Sequence, residues 1–92
     1  MIKPQLENLT NHHIVTVTFK KKDGSIRTMR CTSAWEYLRA KDNSYRNYQK
    51  KGKGMPGKSL KYVLVWDLDA GGFRLINPLT VIKYVLEEKV RI

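Results

Sequence analysis

With 92 residues, the chain has room for one domain, residues 1–92, with one modest core, which by surface scaling buries roughly 60 to 65% of the unfolded surface. Eighteen Lys and Arg against eight Asp and Glu leave a net charge of +10, which favours polyanionic partners: nucleic acid first, acidic protein surfaces next, anionic lipid last. The single cysteine, Cys31, excludes an intrachain disulfide. No apolar run of secretory length opens the chain, and none approaches the about 20 residues a membrane span requires. The expectation is a cytoplasmic protein with no membrane association.

Met1 to His13 is polar and carries Pro4. Pro4 limits any helix, and the stretch reads as a lead-in segment with one short turn. Ile14 to Lys20, IVTVTFK, alternates Val15, Val17 and Phe19 with Thr16, Thr18 and Lys20, the period of a half-buried strand. Ser25 to Cys31 is its expected partner across Lys22-Asp23-Gly24. A two-residue turn would set Val17 opposite Arg30 and mix the faces. A three-residue loop with Gly24 in the left-handed conformation pairs Val15 with Cys31 and Val17 with Met29. That register buries Cys31 as a small apolar residue and sets Thr16, Thr18, Lys20, Thr28 and Arg30 on a solvated face.

Ser33-Ala34-Trp35-Glu36 has the capping-box spacing, so one short helix is expected from there, with Trp35 and Leu38 on its packed face. The following stretch, Arg39 to Lys61, carries eight Lys or Arg against one acid, Asp42. It supplies most of the net charge of the chain. Two tyrosines, Tyr45 and Tyr48, lie among these bases, and glycines stop any helix by Gly52. Residues 39–61 therefore read as a long basic loop or helical excursion that displays aromatic faces.

Lys61 to Leu68, KYVLVWDL, is the strongest strand pattern and is apolar at nearly every position, so both of its faces should be covered. Asp69-Ala70-Gly71-Gly72 turns the chain and Phe73 to Ile76 returns it. After the turn at Asn77-Pro78-Leu79-Thr80, Val81 to Leu86 alternates as a fifth strand, with a helix as the rival reading because Glu87, Glu88 and Lys89 are good helix formers. The fold class is mostly β: a small five-stranded antiparallel barrel with one short helix and a long basic loop.

Gly52-Lys53-Gly54-Met55-Pro56-Gly57-Lys58-Ser59 matches the phosphate-binding loop of nucleotide hydrolases letter for letter. That loop must leave a buried strand and enter a helix whose N-terminal amides hold the phosphates. Here polar residues precede the motif and a strand pattern follows it, so nucleotide hydrolysis is not expected. Asp67 and Asp69 read as turn residues, and His12 and His13 as surface residues. No acid–base pair or ligand set emerges, and neither an enzyme nor a cofactor is expected.

Two blocks, VTFKKKDGSIRTMRCT (Val17 to Thr32) and VWDLDAGGFRLI (Val65 to Ile76), resemble a family of small proteins encoded by tailed phages, described as WYL-like with an Sm-like or SH3-like barrel. The resemblance covers about a third of the chain. It implies that barrel and a phage setting, hence the cytoplasm of an infected bacterium, and it implies no activity, the family being largely without assigned function. This chain departs from the family pattern in its basic stretch, in Phe73 where Trp is common, and in Pro78.

The leading expectation is non-catalytic binding of nucleic acid, with single-stranded RNA or DNA favoured. Phosphate contacts are expected from Arg46, Lys50, Lys51, Lys53 and Lys58, with Lys20, Lys22 and Arg74 in addition, and Tyr45 and Tyr48 stack on unpaired bases. The alternative is an interaction module that takes a host protein by the barrel edge or the basic stretch. DNA against RNA, and the oligomeric state, stay open.

Overall fold

A computed structural model describes residues 1–57 and 59–90. The chain runs α1 (Lys3–His12), β1 (His13–Lys20), β2 (Ile26–Thr32), α2 (Trp35–Lys41), α3 (Asn43–Lys50), β3 (Val63–Asp67), β4 (Gly72–Ile76), a 3₁₀ turn (Pro78–Thr80) and β5 (Val81–Lys89). The five strands form one antiparallel sheet in the order β4-β3-β2-β1-β5. The two outer strands, β4 and β5, are neighbours in sequence, and the 3₁₀ turn bridges them.

The β1–β2 hairpin has the expected register. Val15 pairs with Cys31 and Val17 with Met29, while Gly24 takes the left-handed conformation, with φ +87°. A side chain there would be strained, because an L-residue's Cβ crowds the backbone at positive φ. The expected solvated face is only partly exposed. Thr18 is buried, meeting the Thr28 hydroxyl at 3.1 Å beneath the pairing with β5.

One core cluster gathers Leu6, Val15, Val17, Met29, Cys31, Val63, Val65 and Ile76. A second gathers Leu38, Tyr45 and Trp66, with Trp35, Tyr48 and Phe73 packed against them. Strand β3 serves both, with Val63 and Val65 on one face and Trp66 on the other. This is why its sequence is apolar nearly throughout. Burial pushes the Cys31 thiol up to about 12, so it packs as an apolar group and holds no thiolate near neutrality.

Three expectations are corrected. The lead-in segment is a ten-residue helix, α1. Pro4 does not prevent it, because a proline in the first turn forfeits only an amide that has no intrahelical acceptor. Gln5 accepts a hydrogen bond from the Ile2 amide at 3.0 Å, and Leu6 and Thr10, one turn apart, are buried.

The capping box at Ser33 does not form. The α2 helix begins at Trp35 after Ala34 with no side-chain cap. The Ser33 hydroxyl instead meets the Thr10 hydroxyl and donates to Asn11 Oδ1, both at 2.6 Å. Three such bonds, with Thr32 Oγ1 donating to the Thr10 carbonyl at 2.9 Å, tie the end of α1 to the end of β2.

Nor is there one short helix followed by a long basic loop. Among the described residues there are three α-helices, and residues 39–50 are almost wholly helical, broken only at Asp42, whose carboxylate caps α3 by accepting from the Tyr45 amide at 2.8 Å. Irregular chain begins only after Lys50. The segment after the 3₁₀ turn is strand and not helix: β5 pairs with β1 along its length. Among the described residues no helix is long and apolar enough to cross a membrane.

Candidate nucleic-acid interface

The ten residues expected to meet nucleic acid fall into separate places. Tyr45 and Tyr48, three apart on α3, share its inner face. The Tyr45 ring stands edge-on to Trp66 with centroids 5.0 Å apart and lies nearly parallel to Trp35 at 6.2 Å. Tyr48 meets Phe73 at 5.2 Å and Trp66 at 5.5 Å. Tyr45 is 1% exposed, and burial, partly offset by the charge of Arg39, raises its phenol above the ordinary tyrosine range. The expectation that these two rings are displayed for base stacking is therefore corrected: helical spacing turns them into the domain, where they hold α3 against β3 and β4.

Arg46 lies on the exposed side of α3, with Nη1 donating to the Ala40 carbonyl at 3.1 Å and Nη2 to Asn43 Oδ1. Lys50, Lys51 and Lys53 are exposed at the C-terminal end of α3 and just beyond, where cations also complement the helix dipole. Lys58 lies outside the described residues. The loop that matched a nucleotide-binding motif follows a helix and precedes a strand, the reverse of the order in which helix amides hold phosphates. Gly52 and Gly54 have positive φ, and an added Cβ at Gly52, Gly54 or Gly57 meets nothing within 4 Å. At these three glycines the chain stands clear of the body, while the Ser59 carbonyl, at the end of the loop, accepts a hydrogen bond from Lys3 Nζ at 2.5 Å.

Lys20 and Lys22 at the β1–β2 hairpin tip and Arg74 of β4, from two separate stretches of sequence, come together. They line an open groove of about 720 Å³ between the tip of the β1–β2 hairpin, β4 and the start of β5. The groove follows the seam where the sheet does not pair β4 with β5, and the 3₁₀ turn supplies Asn77, Leu79 and Thr80 to its wall. Lys21 and Arg27 add two further cations, and no carboxylate is among the described lining residues.

The Arg27 guanidinium is already engaged, donating to the buried Asp67 carboxylate at 3.0 Å. Asp67 also accepts from the amides of Asp69 and Ala70, which fixes the β3–β4 turn. Lys20, Lys21, Lys22 and Arg74 are exposed, and among the described residues none of the four is in an ion pair. Arg74 makes one hydrogen bond, from Nη1 to the Phe73 carbonyl at 2.9 Å. Between these cations the surface is apolar and aromatic, with Phe19, Tyr62, Leu75 and Leu79.

Lys21 and Tyr62 were missed as site residues from the sequence. The run Lys20-Lys21-Lys22 at a hairpin tip was a usable signal for the first, since three consecutive lysines there cannot all turn inward. Nothing in the pattern of Tyr62 distinguished it from a strand residue of the core.

No curated protein and no solved structure matches the chain significantly. A family model does, over residues 3–78. That span takes in α1, both hairpins and the helical pair between them, so the chain belongs to the family described as WYL_2, with the Sm-like SH3 β-barrel fold.

Proposed function

We propose that this is a non-catalytic accessory protein that binds nucleic acid along the seam groove, with single strands favoured over duplex. The observation that carries the reading is the gathering of Lys20, Lys21, Lys22 and Arg74 around one open, apolar-floored groove without a lining carboxylate among the described residues. Phosphates held by such cations release condensed counterions, which drives binding, and the half-buried rings of Tyr62 and Phe19 on the groove wall offer stacking surface to unpaired bases that a duplex keeps out of reach. Lys50, Lys51 and Lys53 serve as a secondary, sequence-indifferent contact. The resemblance of the two sequence blocks to phage proteins supports a setting in the cytoplasm of an infected bacterium.

A second reading, capture of a host protein, is favoured by one specific feature: Leu79 is 71% exposed and Leu75 49% exposed on the wall of the same groove. Apolar side chains ringed by lysines suit an acidic peptide with apolar anchors.

A salt titration separates the two. On the nucleic-acid reading, the protein binds a short single-stranded oligonucleotide at low salt, and log affinity falls with log salt at about 0.7 per phosphate contact. K20Q/K22Q/R74Q then flattens that slope by about two units. Absence of binding at low salt, or a slope untouched by the triple substitution, rejects the groove as a nucleic-acid site.

A further inference from the structure

Strand β5 is bare along one whole edge. It hydrogen-bonds to β1 on one side, ends the sheet on the other, and is exposed at every position from Ile82 to Lys89. Tyr84 and Leu86 stand opposite Val17 and Val15, on the core face, and yet each is 44% exposed. They reach past the rim of the core, and among the described residues no strand lies beyond to cover them. On the opposite face Lys83 and Val85 stand across from Thr18 and Thr16, and Glu87 joins them there by accepting a hydrogen bond from Thr16 Oγ1. Monomeric proteins blunt such an edge with lysines, prolines, bulges, inward charges or short strands. Here the pairing with β1 skips Ile82 and Glu87, and between those two bulges Lys83 to Leu86 runs in regular register, so the edge is unblunted only over its middle.

We infer that β5 pairs antiparallel with β5 of a second copy of this chain, about a two-fold axis at Val85. An axis perpendicular to the sheet keeps each residue on its own face, so only registers centred on a residue are allowed. Centring on Lys83 or Glu87 sets like charges directly opposite, and centring on Leu86 sets Lys83 against Lys89. Centring on Tyr84 leaves Lys83 opposite Val85 and Glu87 opposite Val81, with no charge paired. Centring on Val85 sets Lys83 against Glu87 twice, Tyr84 against Leu86 twice and Val85 against itself.

This register alone pairs opposite charges and keeps the middle of the interface apolar. Among the described residues neither Lys83 nor Glu87 has an ion-pair partner in its own chain. The pairing makes one ten-stranded sheet and covers the overhanging Tyr84 and Leu86 of both copies.

Analytical ultracentrifugation over a wide concentration range tests this. The native protein should approach twice the 10.7 kDa chain mass. K83E and E87K, each turning two attractive contacts into two repulsive ones, should each raise the dimer dissociation constant by about tenfold. K83E/E87K should return it to within about threefold of native, because the swapped charges face each other again.

A native monomer, a larger ring, or a dimer indifferent to both single reversals overturns the inference. Amide hydrogen exchange of the native protein is a check that needs no variant. The amides of Lys83 to Glu87 should exchange more slowly as concentration rises, and unchanged rates overturn the pairing.

Discussion

The aromatic cluster under α3 and the seam groove are made of the same ingredients, rings interleaved with cations, and they come to opposite ends. In the cluster, Tyr45 and Tyr48 sit three residues apart on a helix, so both rings fall on the face that meets Trp66 and Phe73, and Arg46 between them is left outside. In the groove, the cations stand at a hairpin tip and on a sheet edge, where no second layer covers them, and the rings form the floor between. Local geometry, not composition, decides whether an aromatic–basic stretch becomes core or surface. A cationic stretch with tyrosines is evidence for a binding arm only when its periodicity cannot direct the rings inward.

The largest effect that can break this contrast is on stability. Y45A removes a ring that is fully enclosed and should cost about 3 to 5 kcal/mol, the range for deleting a buried aromatic side chain. Urea denaturation measures it, and a loss under about 1 kcal/mol would return Tyr45 to the candidate binding residues. Substitutions in the groove should do the reverse. K20Q/K21Q/K22Q/R74Q should leave stability within about 0.5 kcal/mol, as for exposed positions away from caps and ion pairs. The same four changes should weaken single-strand binding by about tenfold or more at moderate salt.

The smallest binding effect is expected from K50Q/K51Q/K53Q. Those lysines border the glycines at which the chain stands clear of the body, and an unconstrained contact returns part of its electrostatic gain as lost chain entropy. A loss of about threefold or less, against the larger loss from the groove, would rank the two surfaces.

The sheet was legible wherever two signals agreed. Alternation from Val15 to Phe19, together with the left-handed requirement of Gly24, fixed the first hairpin to the residue. The apolar run Tyr62 to Trp66 forecast a strand covered on both faces. What misled were positions where one side chain had two possible uses. Ser33 had the spacing of a helix cap, and only the arrival of α1 beside it explains why its hydroxyl is spent on Thr10 and Asn11. Pro4 reads as a breaker unless it falls in the first turn, as it does. The groove was half legible: Lys20, Lys22 and Arg74 were visible as cations, but their proximity depends on β4 and β5 being the two unpaired edges, a property of topology that no local pattern carries.

The buried ring and the groove also differ in how alkali should reach them. Burial holds the Tyr45 phenol neutral and raises its ionisation above the ordinary value of 10.0. The folded state therefore binds that proton more tightly than the unfolded chain does. Its contribution to stability is complete below the unfolded value and is lost as pH rises through the folded one. Cys31 acts in the same direction across the window from 9.0 to about 12.

Y45F keeps the ring and removes the ionisable group. At neutral pH it should change stability by less than about 1 kcal/mol, because the cavity and the ring contacts are unchanged. Above pH 10 its stability should fall less steeply than that of the native protein, by the share that belonged to Tyr45, with Cys31 still titrating in both. Parallel stability–pH curves for the two proteins would mean that the phenol reaches solvent, and with it that α3 leaves the sheet often enough to show its inner face.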